Sequence, residues 1–305
     1  MAEKKKVRVE AKAPARKKND DGTAAPQTWE ATPEAKAQAL KLRIIAGVLW
    51  VIAIGLEIFT IVWALAGDKE FDTGKLWIVI GLVVVIGILS ITGSFLWKRS
   101  NRLDPASEKD GVRFFVQNQL GAIVAVVAFL PLLIFVLADG NLSGKQKGIL
   151  GGIVAVVLAG ALWAGVDTEN PSVEKYTEDD NIITLLHNDP NAEVVWTKSG
   201  KVYHVCDKVP AVNQESTDGT IYNGTTAAAQ EAGKSRLTKQ WKSEARVCGF
   251  GEDDIARVDR GLAANPSTRI DEDELGELDD EAPAASVTTT PSPVTTTPSP
   301  ATSTR

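Results

Sequence analysis

The residues best suited to chemistry are rare in this chain and lie close together. Of its 305 residues, two are histidines and two are cysteines: His187, His204, Cys206 and Cys248. Thiolates and imidazoles are the usual ligands of structural zinc, so a zinc site formed by these four side chains is one interpretation. The spacing does not favour it, because His204 and Cys206 are separated by one residue and no Cys-x-x-Cys pair occurs.

Other interpretations of the same residues stay open. Cys206 and Cys248 could form a disulfide, which would require an oxidising compartment, or they could be two reduced thiols. His204 and Cys206 point to the same face of a predicted strand and could form a catalytic pair. No third group can be named that would orient the histidine, as such a pair requires.

The rest of the sequence carries no catalytic motif. It contains no phosphate-binding loop, no dinucleotide fingerprint and no carboxylate cluster of the kind that holds a metal. We therefore expect a protein that is not an enzyme and that has no cofactor.

Glu57 is the only ionisable residue within the apolar stretches of the chain. Charge is costly in hydrocarbon, so such a residue is a candidate functional site. A transporter or proton relay would need a partner at the same depth, and no basic residue lies in any apolar stretch. A protonated or interhelically hydrogen-bonded glutamate is the alternative. Gln117, Asn118 and Gln119 lie near the start of the third stretch, where we expect them to cap or join helices.

The chain contains four apolar stretches, and these must position the candidate residues described above. Each is close to the roughly 20 residues that a helix needs to cross a bilayer, and they cover 44–66, 76–97, 114–137 and 149–166. Loops of 9 to 16 residues join them. The predicted fold class is membrane all-α, a bundle of four transmembrane helices occupying 44–166, with a small soluble α+β module and disordered tails.

The distribution of charge predicts the orientation. The net charge of −6 divides into +5 for 1–43, +1 for 44–166 and −12 for 167–305, which excludes a nucleic-acid binder with a dominant basic face. Five basic residues occupy the loop 98–113, and the loops 67–75 and 138–148 have two each. Basic loops stay in the cytoplasm, so we expect a multi-pass protein of a bacterial plasma membrane with both termini cytoplasmic.

The segments outside the bundle divide into four parts. We predict a disordered basic tail over 1–43, an acidic linker over 167–180 and a small α+β module over 181–262. In the module, 193–197 and 201–206 are predicted to form a β-hairpin, and 227–231 and 237–246 to form helices. The remaining tail, 263–305, is predicted to be disordered, first acidic and then Thr/Pro-rich; it would be a stalk outside the cell or a linker inside it.

Two stretches carry a resemblance to a known family. Lys98–Ser107 and Arg113–Ala122 resemble uncharacterised multi-pass membrane proteins of bacteria, in the style of actinobacterial members, over about 42–250. Val195–His204 is similar to a zinc-ribbon-like module in which Trp-Thr-x-Ser-Gly-x-x-Tyr-His precedes three cysteines.

The module would be a degenerate member of that family. Only His204 matches a ligand position, Val209 stands at the first cysteine, and Leu237–Trp241 replaces the Cys-x-x-Cys. The resemblance therefore argues against metal binding and suggests that Cys206 and Cys248 cross-link the module in place of zinc. It implies no activity.

Two functions follow as hypotheses. The first is non-enzymatic binding or assembly, in which a bilayer anchors the chain and the C-terminal module contacts a protein partner. The alternative is a small transporter or ion-coupled channel that uses Glu57. A stripe of small residues along the fourth stretch fits either packing within the bundle or a homo-oligomer; its members are Gly148, Gly152, Ala155, Ala159, Gly160 and Ala164.

Overall fold

Four long helices form the larger part of the protein. The computed structural model describes residues 4–10, 28–65 and 72–264. The long helices are α1 (Pro33–Thr60, followed by a π-helical turn over Ile61–Leu65), α2 (Thr73–Leu103), α3 (Gly111–Ala138) and α4 (Gly144–Gly165). All four are long and apolar enough to cross a membrane, as the sequence predicts.

Each long helix begins before the apolar stretch that predicted it, because capping residues rather than hydropathy define where a helix starts. The Thr32 side chain accepts a hydrogen bond from the amide of Ala35 and caps α1. Ser143 and Gln146 form a capping box at the start of α4. These ends lie outside the hydrophobic windows.

The bundle is apolar inside and outside. Its interior contains the fully buried Val83, Phe129 and Leu150, while Val156 and Trp163 on α4 are 73% and 80% exposed. A helix that is apolar all round fits an environment without water on either side.

The small module combines a three-stranded sheet with short helices. In chain order its elements after the bundle are α5 (Val173–His187), β2 (Val194–Trp196), α6 (Pro210–Glu215), β3 (Thr220–Gly224), α7 (Thr226–Glu231), α8 (Trp241–Cys248) and α9 (Glu252–Ala264). The third strand is β1 (Lys5–Arg8), from the N-terminal segment. The strand order is β1-β3-β2, with β1 parallel and β2 antiparallel to β3.

The structure of the N-terminal segment differs from the disordered tail that the sequence predicts over 1–43. Residues 5–8 form β1, and the helix predicted to begin at 44 begins at Pro33. Trp29 is buried against Tyr176 of α5, with ring centroids 5.0 Å apart. The composition of a short basic segment cannot show this, because its strand partner lies more than 200 positions away.

The module also differs from its predicted boundaries. Its first helix, α5, starts at Val173, inside the predicted linker 167–180, and is capped by Ser172. Residues 201–206 form only isolated bridges, one of them between Val195 and His204. The main partner of β2 is therefore β3, whose five largely polar residues gave no strand signal. The second predicted helix begins at Trp241 rather than at 237, and the predicted tail beyond Ala264 lies outside the described residues.

The module packs against one end of the bundle. The Tyr176 hydroxyl donates a hydrogen bond to the carbonyl of Arg102 at the end of α2 (3.1 Å), and Thr177 Oγ1 accepts one from the amide of Trp29 (3.0 Å). Glu174 accepts another from the amide of Glu108, in the loop between α2 and α3 (2.8 Å). We call this contact region the junction; its buried apolar residues are Trp29, Ala31, Ala35, Ala39, Leu103 and Tyr176.

Candidate functional site

Cys206 and Cys248 form a disulfide. It joins the segment after the Val195–His204 bridge to the last residue of α8, and the two Cα atoms are 6.0 Å apart. The sequence left open a zinc site, a disulfide or two reduced thiols, and the structure contains the disulfide. A bonded Cys206 cannot act as a nucleophilic thiolate, so the structure does not form the catalytic His–Cys pair.

His204 lies between two carboxylates. Its Nδ1 is 2.8 Å from Glu244 Oε1, and its Nε2 is 3.4 Å from Glu215 Oε2. The ring and the Glu244 side chain are 3% and 6% exposed. Burial lowers the pKa of His204, but the hydrogen bond and charge of Glu244, together with Glu215, outweigh it and raise the pKa above its usual value.

Helix periodicity explains how α8 builds this centre. Glu244 and Cys248 are four residues apart and therefore lie on one face of the helix. Glu244 contacts His204 and also accepts a hydrogen bond from the amide of Val205 (3.1 Å), while Cys248 bonds to Cys206. Two contacts one turn apart thus fix α8 to a single extended segment. Gly249, with φ of 98°, then ends the helix.

The four rare residues do not converge on one point. His187 lies at the end of α5, where its ring packs edge-on against Phe250 with centroids 4.7 Å apart. Burial lowers the pKa of His187. Both nitrogens of His204 face carboxylates, and both sulfurs are bonded to each other. Within 4–10, 28–65 and 72–264, no group of three or more His, Cys, Asp or Glu side chains could hold a metal ion.

A cavity of about 260 Å³ lies beside the disulfide. Its lining combines one face of the sheet with the segment 205–207: Lys6, His187, Glu193, Val195, Cys206 and Asp207 are among its residues. Lys6 belongs to β1, so the N-terminal segment forms part of its wall. The cavity contains both acidic and basic groups and therefore has no single charge preference.

Asp179 is a titratable residue that the sequence analysis did not single out. The hydroxyl of Tyr203 donates a hydrogen bond to its Oδ2 (3.0 Å), as does the amide of Leu237 (2.7 Å). Burial raises the pKa of Asp179 to about 7, against the opposing effect of these two donors. Its neighbours come from distant parts of the chain, so no local pattern marks it.

The polar residues at the start of α3 have different environments. The carbonyl of Gln117 accepts hydrogen bonds from Trp97 Nε1 (2.8 Å) and Asn101 Nδ2 (2.5 Å), and its side chain donates one to the carbonyl of Asp104 (2.8 Å). Gln117 therefore joins α2 to α3. Asn118 is 4% exposed, and neither of its side-chain polar atoms has a hydrogen-bond partner among the described residues. Gln119 is half-buried.

Glu57 lies deep in the bundle and faces α3. Its side chain is 2% exposed and forms a hydrogen bond with the backbone of Leu132. Its Oε1 atom has no hydrogen-bond partner among the described residues. Pro131, inside α3, immediately precedes this contact. The structure thus places Glu57 against α3.

No known protein family, curated protein or solved structure matched this chain. The resemblance to uncharacterised bacterial membrane proteins therefore stays a prediction, and the function has to be inferred from the geometry alone.

Proposed function

We propose that the protein is a membrane-anchored binding or assembly protein that presents its module on the end of a four-helix bundle. The observation that supports this best is the junction. Hydrogen bonds from Tyr176 and Trp29 and a small apolar core hold the module against α1 and α2. A module fixed in this way presents its outer surface at a defined position relative to the bilayer.

The proposed location is the plasma membrane of a bacterium, with the module in the cytoplasm. The basic loop 98–113 lies at the module end of the bundle, and retention of basic loops in the cytoplasm favours this orientation. The disulfide between Cys206 and Cys248 favours the opposite one, because disulfides persist mainly in oxidising compartments.

The outer surface of α8 is the part of the module that we propose contacts a partner. Val247 is 49% exposed, and no other large apolar side chain of the module is as exposed among the described residues. It precedes Cys248, so the disulfide and Glu244 hold its helix in place. Apolar groups on a rigid element lose little entropy on binding.

Site-specific photo-crosslinking tests this proposal. A photoreactive amino acid would replace Val247 in the full chain in its native membrane, with Asp253 on α9 as the control position. We expect a discrete adduct from position 247 that is lost when Tyr176→Ala disrupts the junction. Unmodified monomer from both positions would contradict the proposed function.

Transport is the second candidate, because Glu57 is buried in the bundle with Oε1 unpaired among the described residues. An unpaired carboxyl oxygen at that depth can bind a proton or a cation. Ion flux into vesicles containing the purified protein, compared with Glu57→Gln, tests it. Equal flux from both proteins would eliminate this candidate.

A further inference from the structure

The edge of β3 that faces away from β2 binds an extended basic segment, β1. The amide of Lys5 donates a hydrogen bond to the carbonyl of Gly219 (2.9 Å), and the amide of Val9 donates one to that of Asn223 (2.8 Å). Lys6 forms an ion pair with Asp207, and Arg8 forms another with Glu193 at 2.6 Å. Backbone pairing and two acidic residues thus select basic side chains at alternate positions of an added strand.

The strand that occupies this edge is short, and its own side chains are largely exposed. No side chain of Lys5–Arg8 is buried, and the side chains of Lys6 and Arg8 are 66% and 68% exposed. Ion pairs with this exposure stabilise by about 0–1 kcal/mol. The four-residue strand is held by its backbone hydrogen bonds and these ion pairs, and by contacts on either side of it: Lys4 Nζ donates hydrogen bonds to the carbonyls of Asn213 and Ser216, and Val9 packs against the apolar core of the module.

The chain between β1 and α1 is long enough to reach a neighbouring molecule. Residues 11–27 number 17 and lie outside the described part. A chain of that length spans at most about 60 Å, at up to roughly 3.6 Å per residue. A helix with its side chains is about 10–12 Å wide, so the span exceeds the width of a four-helix bundle.

We propose that the β3 edge binds the N-terminal segment Lys4–Val9 of a second copy of this chain, so that two copies exchange their β1 strands. This inference rests on the assembly function proposed above and names its partner. The segment of a second copy carries the same basic residues opposite Asp207 and Glu193. Exchange preserves every contact of the strand, so it costs little free energy and depends on the local concentration of copies.

Two further features affect how two copies of this chain meet. Lys6 and Arg8 place positive charge on β1, which opposes pairing of one β1 with another along their free edges. On α4, added side chains at Gly148 and Gly152 would meet nothing within 4 Å, so these small residues face outward. The first part of the stripe predicted from the sequence, Gly148 to Ala159, is therefore open to a close approach of another helix, whereas Ala164 is buried within the bundle.

Cross-linking between differently tagged copies tests the exchange. Lys5 pairs with Thr220 in the sheet, so one copy would carry Lys5→Cys and the other Thr220→Cys, co-expressed in the membrane and treated with a short bifunctional thiol reagent. Asn223→Cys is the matched control, since three residues along a strand correspond to about 10 Å. We expect adducts that contain both tags for Thr220→Cys and not for Asn223→Cys.

A substitution at Gly224 of β3 distinguishes the copy that donates its β1 strand from the copy that receives it. A Cβ at Gly224 would overlap the carbonyl oxygen of Val9, while the nearest atoms of Trp196 and Ala228 would be 3.2 Å away. Gly224→Ala in the Thr220→Cys copy should reduce the mixed adduct at least fivefold. The same substitution in the Lys5→Cys copy should leave it unchanged.

The outcomes separate exchange from the broader proposal. Adducts that form only when both cysteines are in one chain would show that β1 stays in its own molecule and would overturn the exchange. Absence of any adduct would also overturn it, because the pairing itself would then be missing. The photo-crosslinking at Val247 does not depend on β1, so a partner found there would preserve the binding function even if the exchange fails.

Discussion

His204 makes the stability of the module depend on pH at the scale of a single residue. Although burial lowers its pKa, Glu244 and Glu215 raise the pKa above its usual value. The folded state thus favours the protonated ring. The stabilisation is complete below the unfolded pKa of about 6.5 and is lost as pH rises through the folded pKa.

We expect the His204→Gln variant to lose this dependence. Thermal unfolding of the detergent-solubilised chain, followed by near-UV circular dichroism, should show the wild-type Tm falling as pH rises from about 6 to about 9. The fall should be smaller in His204→Gln. The control is His187→Gln, because burial lowers the pKa of His187 and its contribution has the opposite sign. If the Tm of the variant fell with pH in parallel with that of the wild type, the assignment of this pH dependence to His204 would be refuted.

Asp179 opposes stability at neutral pH. Its folded pKa of about 7 lies above the ordinary value of 3.8, so stability falls as pH rises from about 4 to about 7. Asn at this position keeps an oxygen for the donors of Tyr203 and Leu237 but cannot ionise. We expect Asp179→Asn to be more stable than wild type above pH 7 by on the order of 1 kcal/mol. The same change at the exposed Asp253 should have no such effect on the unfolding midpoint in urea.

At the scale of elements, the disulfide fixes α8 to the module. Cys206 and Cys248 are 42 positions apart, and closing a loop of that length removes about 4 kcal/mol of chain entropy from the unfolded state. We expect the double variant Cys206→Ala, Cys248→Ala to unfold at lower urea concentration. Its midpoint should not respond to a reductant, whereas the wild-type midpoint should fall towards it. Equal midpoints before reduction would contradict this role.

The contact between α3 and α4 depends on two glycines. A Cβ at Gly165 would overlap the backbone of Gly121 and Ala122, whereas one at Gly160 would meet nothing within 4 Å. We expect Gly165→Ala to destabilise the bundle by about 1–3 kcal/mol, the usual cost of overpacking. Gly160→Ala is the matched control on the same helix, and its Tm should not fall. Similar losses for both variants would show that the close approach is not the cause.

Elements differ in how far the sequence predicts them. The four long helices follow from hydropathy, which is a local property, and the helix predicted over 227–231 is α7, which begins one residue earlier, at Thr226. The sheet is not local: β1 pairs with Thr220–Asn223 of β3, more than 200 residues away in the chain. Glu244 likewise gained its role only through contact with His204. Helix periodicity shows that Glu244 shares a face with Cys248 but not what that face contacts.

The whole molecule is organised by two segments that meet at one end of the bundle. β1 precedes α1 and β3 follows α4, and the two strands pair directly. Strands from the two ends of the bundle can meet only if both lie on the same side of a membrane. Four helices that cross it satisfy this condition, whereas an odd number of crossings would separate β1 from β3.

The two signals for orientation make opposite predictions about which side that is, and labelling of single added cysteines decides between them. Asn141, in the loop between α3 and α4, and Asp253, on α9, are both exposed, and the native cysteines are bonded to each other. If the basic loop 98–113 governs insertion, a membrane-impermeant maleimide will label Asn141→Cys in intact cells and Asp253→Cys only after permeabilisation. The reverse pattern would place the module and its disulfide outside the cell. Labelling of both positions in intact cells would contradict four crossings, since they lie at opposite ends of the bundle.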